Sequence, residues 1–285
     1  MEYRPFGPTK REVSVLGQGS WHLERADRGT AIAALRRGLD RGMTHIDTGE
    51  MYGEGIAEEM VGRAIAGRRD DVFLVSKILP QHASRSGTIA ACERSLARLN
   101  TDRLDMYLLN WRDNVRLEET IAGFEHLKRE GKILAWGVSN FDVPDLEAVR
   151  YIAGDGRLAC NQVLYNLEER GIEHLVIPWC ERHGVAVVAY SVLHHGRFPE
   201  PRTPGGRVLH RIAAAHRATP RQIALRFLVR HPSVFAIPKA STPAHTNENA
   251  GAGLLRLTDA EIARIEEAFP LGSLQAELAM QRILA

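Results

Sequence analysis

Eight short apolar runs, separated by amphipathic segments along almost the whole chain of 285 residues, constrain the fold more than any other feature. Such alternation is typical of a parallel sheet whose strands are joined by crossover helices. Eight such units in about 250 residues fit a closed (β/α)8 TIM barrel of the α/β class. The predicted strands are Val13–Leu16, Met43–Asp47, Val72–Lys77, Leu104–Leu109, Leu134–Val138, Ala159–Val163, Ala186–Ala189 and Val234–Ile237.

Helical segments with apolar residues at spacings of three and four lie between these runs. Residues typical of helix ends support several of them, for example Gly131 after Glu130 and Gly184 after His183. The predicted helices are Thr30–Arg41, Gly55–Ala66, Thr88–Leu99, Leu117–Glu130, Asp142–Ile152, Ile172–His183 and Ile223–His231.

An open doubly wound sheet is the alternative architecture, and it would normally carry a glycine-rich turn after its first strand. Gly17–His22 lacks the third glycine of that turn and no helical pattern follows it directly, so the barrel is favoured. The segment Glu2–Val15 is predicted to form a β-hairpin before the barrel. The Pro- and Gly-rich stretch His194–Gly206 is predicted to be a long surface loop after the seventh strand. No segment is typical of a linker, so residues 1–285 are expected to form a single domain.

The composition is that of an ordinary soluble protein, with 44% hydrophobic residues, 25% charged residues and a net charge of +2. The arginines are spread along the chain, and no run approaches the roughly 18 apolar residues of a membrane span. Cys92, Cys160 and Cys180 suit neither a disulfide framework nor a zinc cluster. We therefore expect a cytoplasmic monomer or weak oligomer that binds no nucleic acid, membrane or metal.

Polar residues at the ends of the predicted strands indicate where chemistry takes place, since active sites of barrels lie at the carboxyl ends of their strands. Asp47 and Tyr52 follow the second strand, and Lys77 ends the third. A partly buried Lys77 needs a carboxylate, and Asp47 is its expected partner. An ammonium beside a phenol favours the phenolate, so we expect a lowered pKa for Tyr52 and a role as proton donor. A structural ion pair beside a surface tyrosine is the alternative, and these three residues alone do not decide.

A longer series of motifs resembles the aldo-keto reductase family over nearly the whole chain. The run 179–193 is similar to bacterial members that reduce 2-oxoaldehydes of the methylglyoxal type. The motifs are Val15–Trp21, His45-Ile46-Asp47-Thr48 with Tyr52-Gly53, Ser76-Lys77, Ser95–Leu99 with Asp105–Leu109, Gly131-Lys132 with Gly137–Phe141, Asn161-Gln162, Ala189-Tyr190-Ser191, Ile237-Pro238-Lys239 and Asn247–Asn249.

The resemblance implies an NAD(P)H-dependent oxidoreductase that reduces aldehydes and ketones to alcohols, with Tyr52 as general acid. It implies that Asp47, Tyr52 and Lys77 belong to the family's catalytic tetrad. Trp21 and Trp111 both lie beside strand ends, so we expect them to line the substrate pocket with Tyr52, and core packing is the alternative for each tryptophan. The residues implied in cofactor binding are Gly19, Ser20, Trp21, Asp47, Ser139, Asn140, Gln162, Tyr190, Ser191, Leu193, Lys239, Ser241, Thr242, His245, Glu248 and Asn249.

Individual roles in cofactor binding follow from the same resemblance. The polar side chains of Ser139, Asn140 and Gln162 would hydrogen-bond the nicotinamide carboxamide, and the Tyr190 ring would stack on the nicotinamide. Lys239 would meet the cofactor phosphate as a point charge, with Ser241 and Thr242 beside it. Glu248 and Asn249 would reach the adenine. The expected cofactor is NADPH.

Two residues depart from the family pattern. Asn110 stands where the tetrad usually has a histidine; it can still donate a hydrogen bond to a carbonyl oxygen, but it cannot titrate. We therefore expect slower turnover or a restriction to reactive carbonyls, and a cofactor-binding sensor with little turnover is the alternative function. His245 stands where relatives often have an arginine, so we expect NADPH to be preferred while NADH is tolerated. The apolar residues of the tail 270–285 are predicted to cover the pocket or to bind a partner.

Overall fold

The computed structural model describes residues 1–274 and 278–280, and the remainder of the predicted C-terminal tail lies outside the described residues. A parallel sheet forms the centre, and its strands follow one another in sequence order around the sheet. The bounds of these strands are β3 Gln18–Gly19, β4 His45–Asp47, β5 Phe73–Ile78, β6 Leu104–Leu109, β7 Ile133–Ser139, β8 Leu158–Leu164, β9 Ala186–Tyr190 and β10 Val234–Ala236.

Backbone contacts between the first and last strands close the sheet into the predicted barrel. The amides of Gly17 and Gly19 donate to the carbonyls of Ala236 and Pro238, and Gly19 forms a parallel bridge with Lys239. Before the barrel, β1 (Tyr3–Pro5) and β2 (Glu12–Ser14) pair antiparallel, so the predicted N-terminal hairpin is confirmed.

Helices pack around the outside of the sheet, and their apolar faces are buried against it. Several helices begin at a side-chain cap, such as Asp142 before the helix Val143–Ala153 and Thr219 before the helix Pro220–Leu228. The helix bounds are α1 Arg28–Asp40, α2 Ile56–Ile65, α3 Arg85–Leu99, α4 Leu117–Arg129, α5 Val143–Ala153, α6 Val176–His183, α7 Pro204–His216, α8 Pro220–Leu228, α9 Pro243–Gly251 and α10 Asp259–Ala268. Of these, α7, α9 and α10 go beyond the predicted helices.

Several predicted boundaries are shifted by a few residues, as for the helix predicted at Ile223–His231, which spans Pro220–Leu228, and two predictions are wrong for a clear physical reason. The run Val13–Leu16 is not the first barrel strand: its first half belongs to β2, and the barrel strand is the two-residue β3. Val13 is apolar because the hairpin packs across the floor of the barrel and buries it beside Phe6. The predicted loop His194–Gly206 ends early, because Thr203 caps α7 and Pro204 is its first residue.

The floor of the barrel holds a buried histidine, His45, among aromatic rings. Its imidazole lies edge-on to Phe6 and Phe73, with ring centroids 5.9 and 5.5 Å away. Neither ring nitrogen has a hydrogen-bond partner among the described residues. Burial, helped by the positive charge of Lys77, lowers the pKa of His45 to about 3, so this histidine is neutral at physiological pH.

We predict that His45 makes the protein sensitive to acid. Below pH 6.5, the ordinary pKa of a histidine, His45 binds a proton in the unfolded chain but stays neutral in the folded chain. The free energy of unfolding therefore falls as the pH drops toward 3. The loss from this group is roughly 1.4 kcal/mol per pH unit in that range. Urea unfolding between pH 7 and about 4 measures it. The slope should be shallower in His45→Phe, while His210→Phe, at an exposed histidine of α7, should match the wild type. An unchanged slope in His45→Phe would contradict this account.

Candidate functional site

A cleft of about 710 Å³ opens at the carboxyl ends of the barrel strands. Most of the predicted site residues meet there, as expected for a barrel of parallel strands. The cleft is lined by Gly19, Ser20, Trp21, His22, Asp47, Met51, Tyr52, Asn110, Trp111, Ser139, Asn140, Gln162, Tyr190, Ser191, Val192, Leu193, Gly196, Arg221, Ile237, Pro238, Lys239, His245, Glu248, Asn249 and Met280.

Three predicted site residues do not line the cleft. Lys77 is enclosed within the barrel, and its side chain is 1% exposed. Ser241 and Thr242 lie just beyond Lys239, where the Thr242 hydroxyl accepts a hydrogen bond from the backbone of His245 and caps α9. Thr242 therefore shapes the turn that presents His245 to the cleft.

A buried ion pair forms the base of the site. Lys77 Nζ donates to Asp47 Oδ1 at 2.5 Å and to the backbone carbonyl of Thr48 at 2.8 Å. The second carboxylate oxygen, Oδ2, accepts a hydrogen bond from Gln162 Nε2 at 2.7 Å. Burial alone lowers the pKa of Lys77, but the Asp47 carboxylate and the Tyr52 phenol outweigh it and raise that pKa. Lys77 is therefore charged at neutral pH.

Tyr52 lies over this ion pair. Lys77 Nζ is 4.7 Å from the centroid of the Tyr52 ring, within the range of a cation–π contact. The tyrosine begins a tight turn that continues through Gly53 and Gly55, with φ of 57° and 93°. Side chains rarely adopt these left-handed values, and a Cβ on Gly53 would meet Glu24 at 2.5 Å. The two glycines thus allow the turn that brings Tyr52 back over Lys77.

The expected lowering of the Tyr52 pKa is wrong for the protein in this form. The side chain is 9% exposed, and burial raises its pKa. Lys77 opposes this rise, whereas the Asp47 carboxylate adds to it. The loss of water around the phenol, which the order of residues does not show, outweighs the effect of the nearby ammonium. Tyr52 therefore holds its proton at neutral pH, as a general acid must before it reacts.

Asn110 occupies the end of β6 beside Tyr52 in the cleft and is 7% exposed. Its Nδ2 lies 3.9 Å from the Met51 sulfur, which is a weak acceptor. Its backbone carbonyl accepts a hydrogen bond from Asn140 Nδ2 at 3.0 Å. Among the described residues, the Asn110 side-chain amide therefore has only this weak hydrogen bond to give up when it donates to a substrate oxygen.

A connected group of polar side chains lines the next part of the cleft. Ser139 Oγ donates to the Gln162 carbonyl at 2.8 Å and accepts from Asn140 Nδ2 at 3.1 Å. The Tyr190 hydroxyl donates to Asn140 Oδ1 at 2.8 Å. These bonds hold two amides and a phenol ring in one fixed arrangement beside the ion pair.

Basic side chains line a part of the cleft that we call its basic end. Lys239 follows β10, and His245 lies in the first turn of α9 with Glu248 and Asn249 after it. Lys239 and His245 are both exposed. Partial loss of water around its ammonium group lowers the pKa of Lys239, and the nearby carboxylate of Glu24 opposes that shift. This end suits an anionic group, whereas the Tyr52 end suits a neutral carbonyl.

Several cleft residues were not predicted from the sequence. They include Met51, which immediately precedes Tyr52, and His22, whose ring stacks on Trp21 at 4.1 Å. Arg221, at the start of α8, could not be predicted as a site residue from the strand ends, because it does not follow a strand. Met280 places part of the predicted tail against the cleft, as one of the two interpretations of that tail required. The other residues missed are Val192, Gly196, Ile237 and Pro238.

The residues present fit an extended dinucleotide. The cleft is lined by the Tyr52 phenol, by amide side chains, by the Tyr190 ring and by basic side chains. The buried Ser20 Oγ on its wall has no partner among the residues the structure describes, so a bound group can satisfy it. Within the same residues, no three His, Cys, Asp or Glu side chains come together to hold a metal ion. No helix in that part of the chain is long and apolar enough to cross a membrane.

Comparisons with known proteins agree with this geometry. Residues 15–269 match the aldo/keto reductase family. The methylglyoxal reductase YeaE of Escherichia coli is 44% identical over 260 residues, which cover 90% of this chain and 92% of the relative. The aldo-keto reductase YhdN of Bacillus subtilis is 37% identical, covering 69% of this chain and 63% of the relative.

Comparison with a solved structure also indicates an aldo/keto reductase. The aldo/keto reductase of Klebsiella pneumoniae, in complex with NADP and acetate, superposes with a TM-score of 0.92 at 42% identity. The superposition covers 98% of this chain and 100% of the other. With the barrel, the ion pair beneath Tyr52 and the match over residues 15–269 all in agreement, the chain belongs to the aldo/keto reductase family.

Proposed function

We propose that the protein reduces small, reactive aldehydes and ketones, such as 2-oxoaldehydes, to alcohols at the Tyr52 end of the cleft, using NADPH. The observation that carries the proposal is the charged, buried Lys77 held between the Asp47 carboxylate at 2.5 Å and the Tyr52 ring at 4.7 Å. Such an arrangement suits a phenol that must give up its proton and then exist briefly as an anion. The relatives named as methylglyoxal reductases support this choice of substrate class.

Each residue has a distinct role in this proposal. Bound NADPH supplies the hydride that reduces the carbonyl carbon. The Tyr52 hydroxyl donates its proton to the carbonyl oxygen, so one hydride and one proton produce the alcohol. Lys77 stabilises the phenolate left behind, and Asp47 keeps Lys77 charged and fixed in place. Asn110 donates a hydrogen bond to the carbonyl oxygen as negative charge develops on it.

The other cleft residues would hold the two ligands. Ser139, Asn140 and Gln162 would bind the nicotinamide carboxamide, and Tyr190 would stack on its ring. Trp21 and Trp111 would form flat walls of the substrate pocket. The residues proposed for the rest of the cofactor are Gly19, Ser20, Ser191, Leu193, Lys239, Ser241, Thr242, His245, Glu248 and Asn249. We further propose one barrel domain over residues 1–285, a monomeric or weakly oligomeric state, and a cytoplasmic location.

Turnover tests the proposal against its alternative. The protein is mixed with NADPH and a panel of aldehydes and ketones that includes methylglyoxal, and the loss of NADPH absorbance is followed. Reduction of the reactive carbonyls supports the enzyme. Tight NADPH binding without turnover on any carbonyl would favour the sensor, for which the substitution of the tetrad histidine by Asn110 is the motivating observation.

The variant Asn110→His tests whether this position limits the rate. A histidine keeps a hydrogen-bond donor and adds a group that titrates near neutral pH. We expect the rate with methylglyoxal to rise about tenfold and to acquire a new pH dependence near pH 6.5. Asn114→His, at an exposed asparagine of the following loop, is the matched control and should leave the rate unchanged. If Asn110→His matches the wild type at every pH, the position does not limit catalysis.

A further inference from the structure

An arginine that no sequence motif singles out lines the basic end of the cleft. Arg221 is the second residue of α8 and is exposed. Lys239 and His245 line the same cleft from β10 and α9. Three basic side chains from three different elements therefore line the same cleft, where the sequence pointed to only two.

The backbone at Arg221 is held firmly beside α9. Gln222, the next residue, donates from Nε2 to the Glu248 carbonyl at 2.8 Å. The same Gln222 completes a capping box with Thr219, which fixes the first turn of α8. Because Glu248 follows His245 by less than one helical turn, this hydrogen bond places the start of α8 next to the turn that carries His245.

The guanidinium of Arg221 is also held from the other side. It lies over the Phe198 ring, 5.7 Å from the centroid, in the segment after β9. Among residues 1–274 and 278–280, no carboxylate oxygen lies within 4.0 Å of it. The other arginine of the same helix behaves differently, since Arg226 pairs with Glu2. The charge of Arg221 is thus positioned at the cleft without being neutralised by a described side chain.

We propose that Arg221 recognises the 2′-phosphate of NADPH and so determines the choice of NADPH over NADH. The inference rests on the proposed function, since it assumes that a nicotinamide cofactor occupies the cleft. A guanidinium offers two parallel N–H donors to a phosphate, which the imidazole of His245 does not. The expectation of a weakened preference was based on His245 alone. Arg221 supplies the missing charge from a neighbouring helix and restores the preference.

Cofactor binding, rather than turnover, is the appropriate measurement. The dissociation constants of NADPH and NADH are determined by quenching of tryptophan fluorescence for the wild type, Arg221→Ala and Arg221→Lys. The two cofactors differ only in the 2′-phosphate, so NADH reports any general damage to the site. Arg211→Ala, at an exposed arginine of α7 that does not line the cleft, is the matched control.

We expect Arg221→Ala to weaken NADPH binding about tenfold to a hundredfold and to leave NADH binding within about twofold. Arg221→Lys should recover part of the lost NADPH affinity, because a lysine keeps the positive charge but lacks the two parallel N–H donors of the guanidinium. The Arg221→Ala effect should shrink as salt is raised. Equal losses for NADPH and NADH, or no loss for either, would overturn the proposal. If the wild type bound neither cofactor, the proposed function itself would fail, which is a distinguishable result.

Discussion

Tyr52→Phe is expected to lower the rate of NADPH-dependent reduction of methylglyoxal by about 10² to 10⁴, the usual contribution of a general acid. The substitution removes one hydroxyl and leaves the ring over Lys77, where the cation–π contact at 4.7 Å persists. Steady-state rates give the loss of activity, and fluorescence titration should give an NADPH affinity close to that of the wild type. Loss of turnover without loss of binding would identify the hydroxyl as a chemical participant.

A matched control is available for this substitution. Tyr151 is 92% exposed on α5, so Tyr151→Phe makes the same chemical change far from the cleft and should leave the rate unchanged. The raised pKa of Tyr52 adds a prediction on pH: the donor keeps its proton at neutral pH, so the wild-type rate should not fall through loss of that proton until the pH approaches 10 or more. A Tyr52→Phe rate equal to that of the wild type would contradict the assigned role.

Lys77→Met is expected to cost about 3 to 5 kcal/mol of unfolding free energy as well as activity. The loss is large because the Asp47 carboxylate, 1% exposed, would be left buried without its partner at 2.5 Å. Urea unfolding followed by circular dichroism measures the free energy. The double variant Asp47→Asn/Lys77→Met should recover much of that loss, because no uncompensated charge remains.

The control for this prediction is an exposed ion pair. Lys132 contacts Glu93 and Glu130 at 2.8 and 2.9 Å, but its side chain is 32% exposed. Lys132→Met should cost less than about 1 kcal/mol and leave turnover unchanged. The double variant separates the two roles of Lys77, since recovered stability without recovered turnover indicates a function beyond folding. If Lys77→Met were as stable as the wild type, the ion pair would not be the structural base of the site.

The barrel and its site could be predicted because each depends on local patterns. Seven of the eight barrel strands are apolar runs that periodicity detects, and polar residues at their ends, such as Lys77 and Asn110, fall in the cleft or directly beneath it. The strand β3 was not predicted from the sequence because it has only two residues, Gln18 and Gly19, and no apolar run. The neighbouring apolar residue Val13 is buried by the hairpin instead.

Other features depend on packing between distant segments and left no local signal. Arg221 reaches the cleft only because Gln222 binds the carbonyl of Glu248 on another helix. The direction of the Tyr52 pKa depends on how completely the phenol is removed from water, which the order of residues does not reveal. His45 likewise shows its acid sensitivity only once Phe6 and Phe73 enclose it.

The central claim is that hydride reaches a carbonyl carbon in the cleft where Tyr52 supplies the proton. It is tested most directly by incubating the wild-type protein with methylglyoxal and NADPH deuterated at the transferable position, and locating the label in the product by mass spectrometry. We expect an alcohol that carries one deuterium on the former carbonyl carbon, and about 10² to 10⁴ times slower formation of it with Tyr52→Phe. NADPH binding without formation of an alcohol, or an alcohol without deuterium on that carbon, would contradict it.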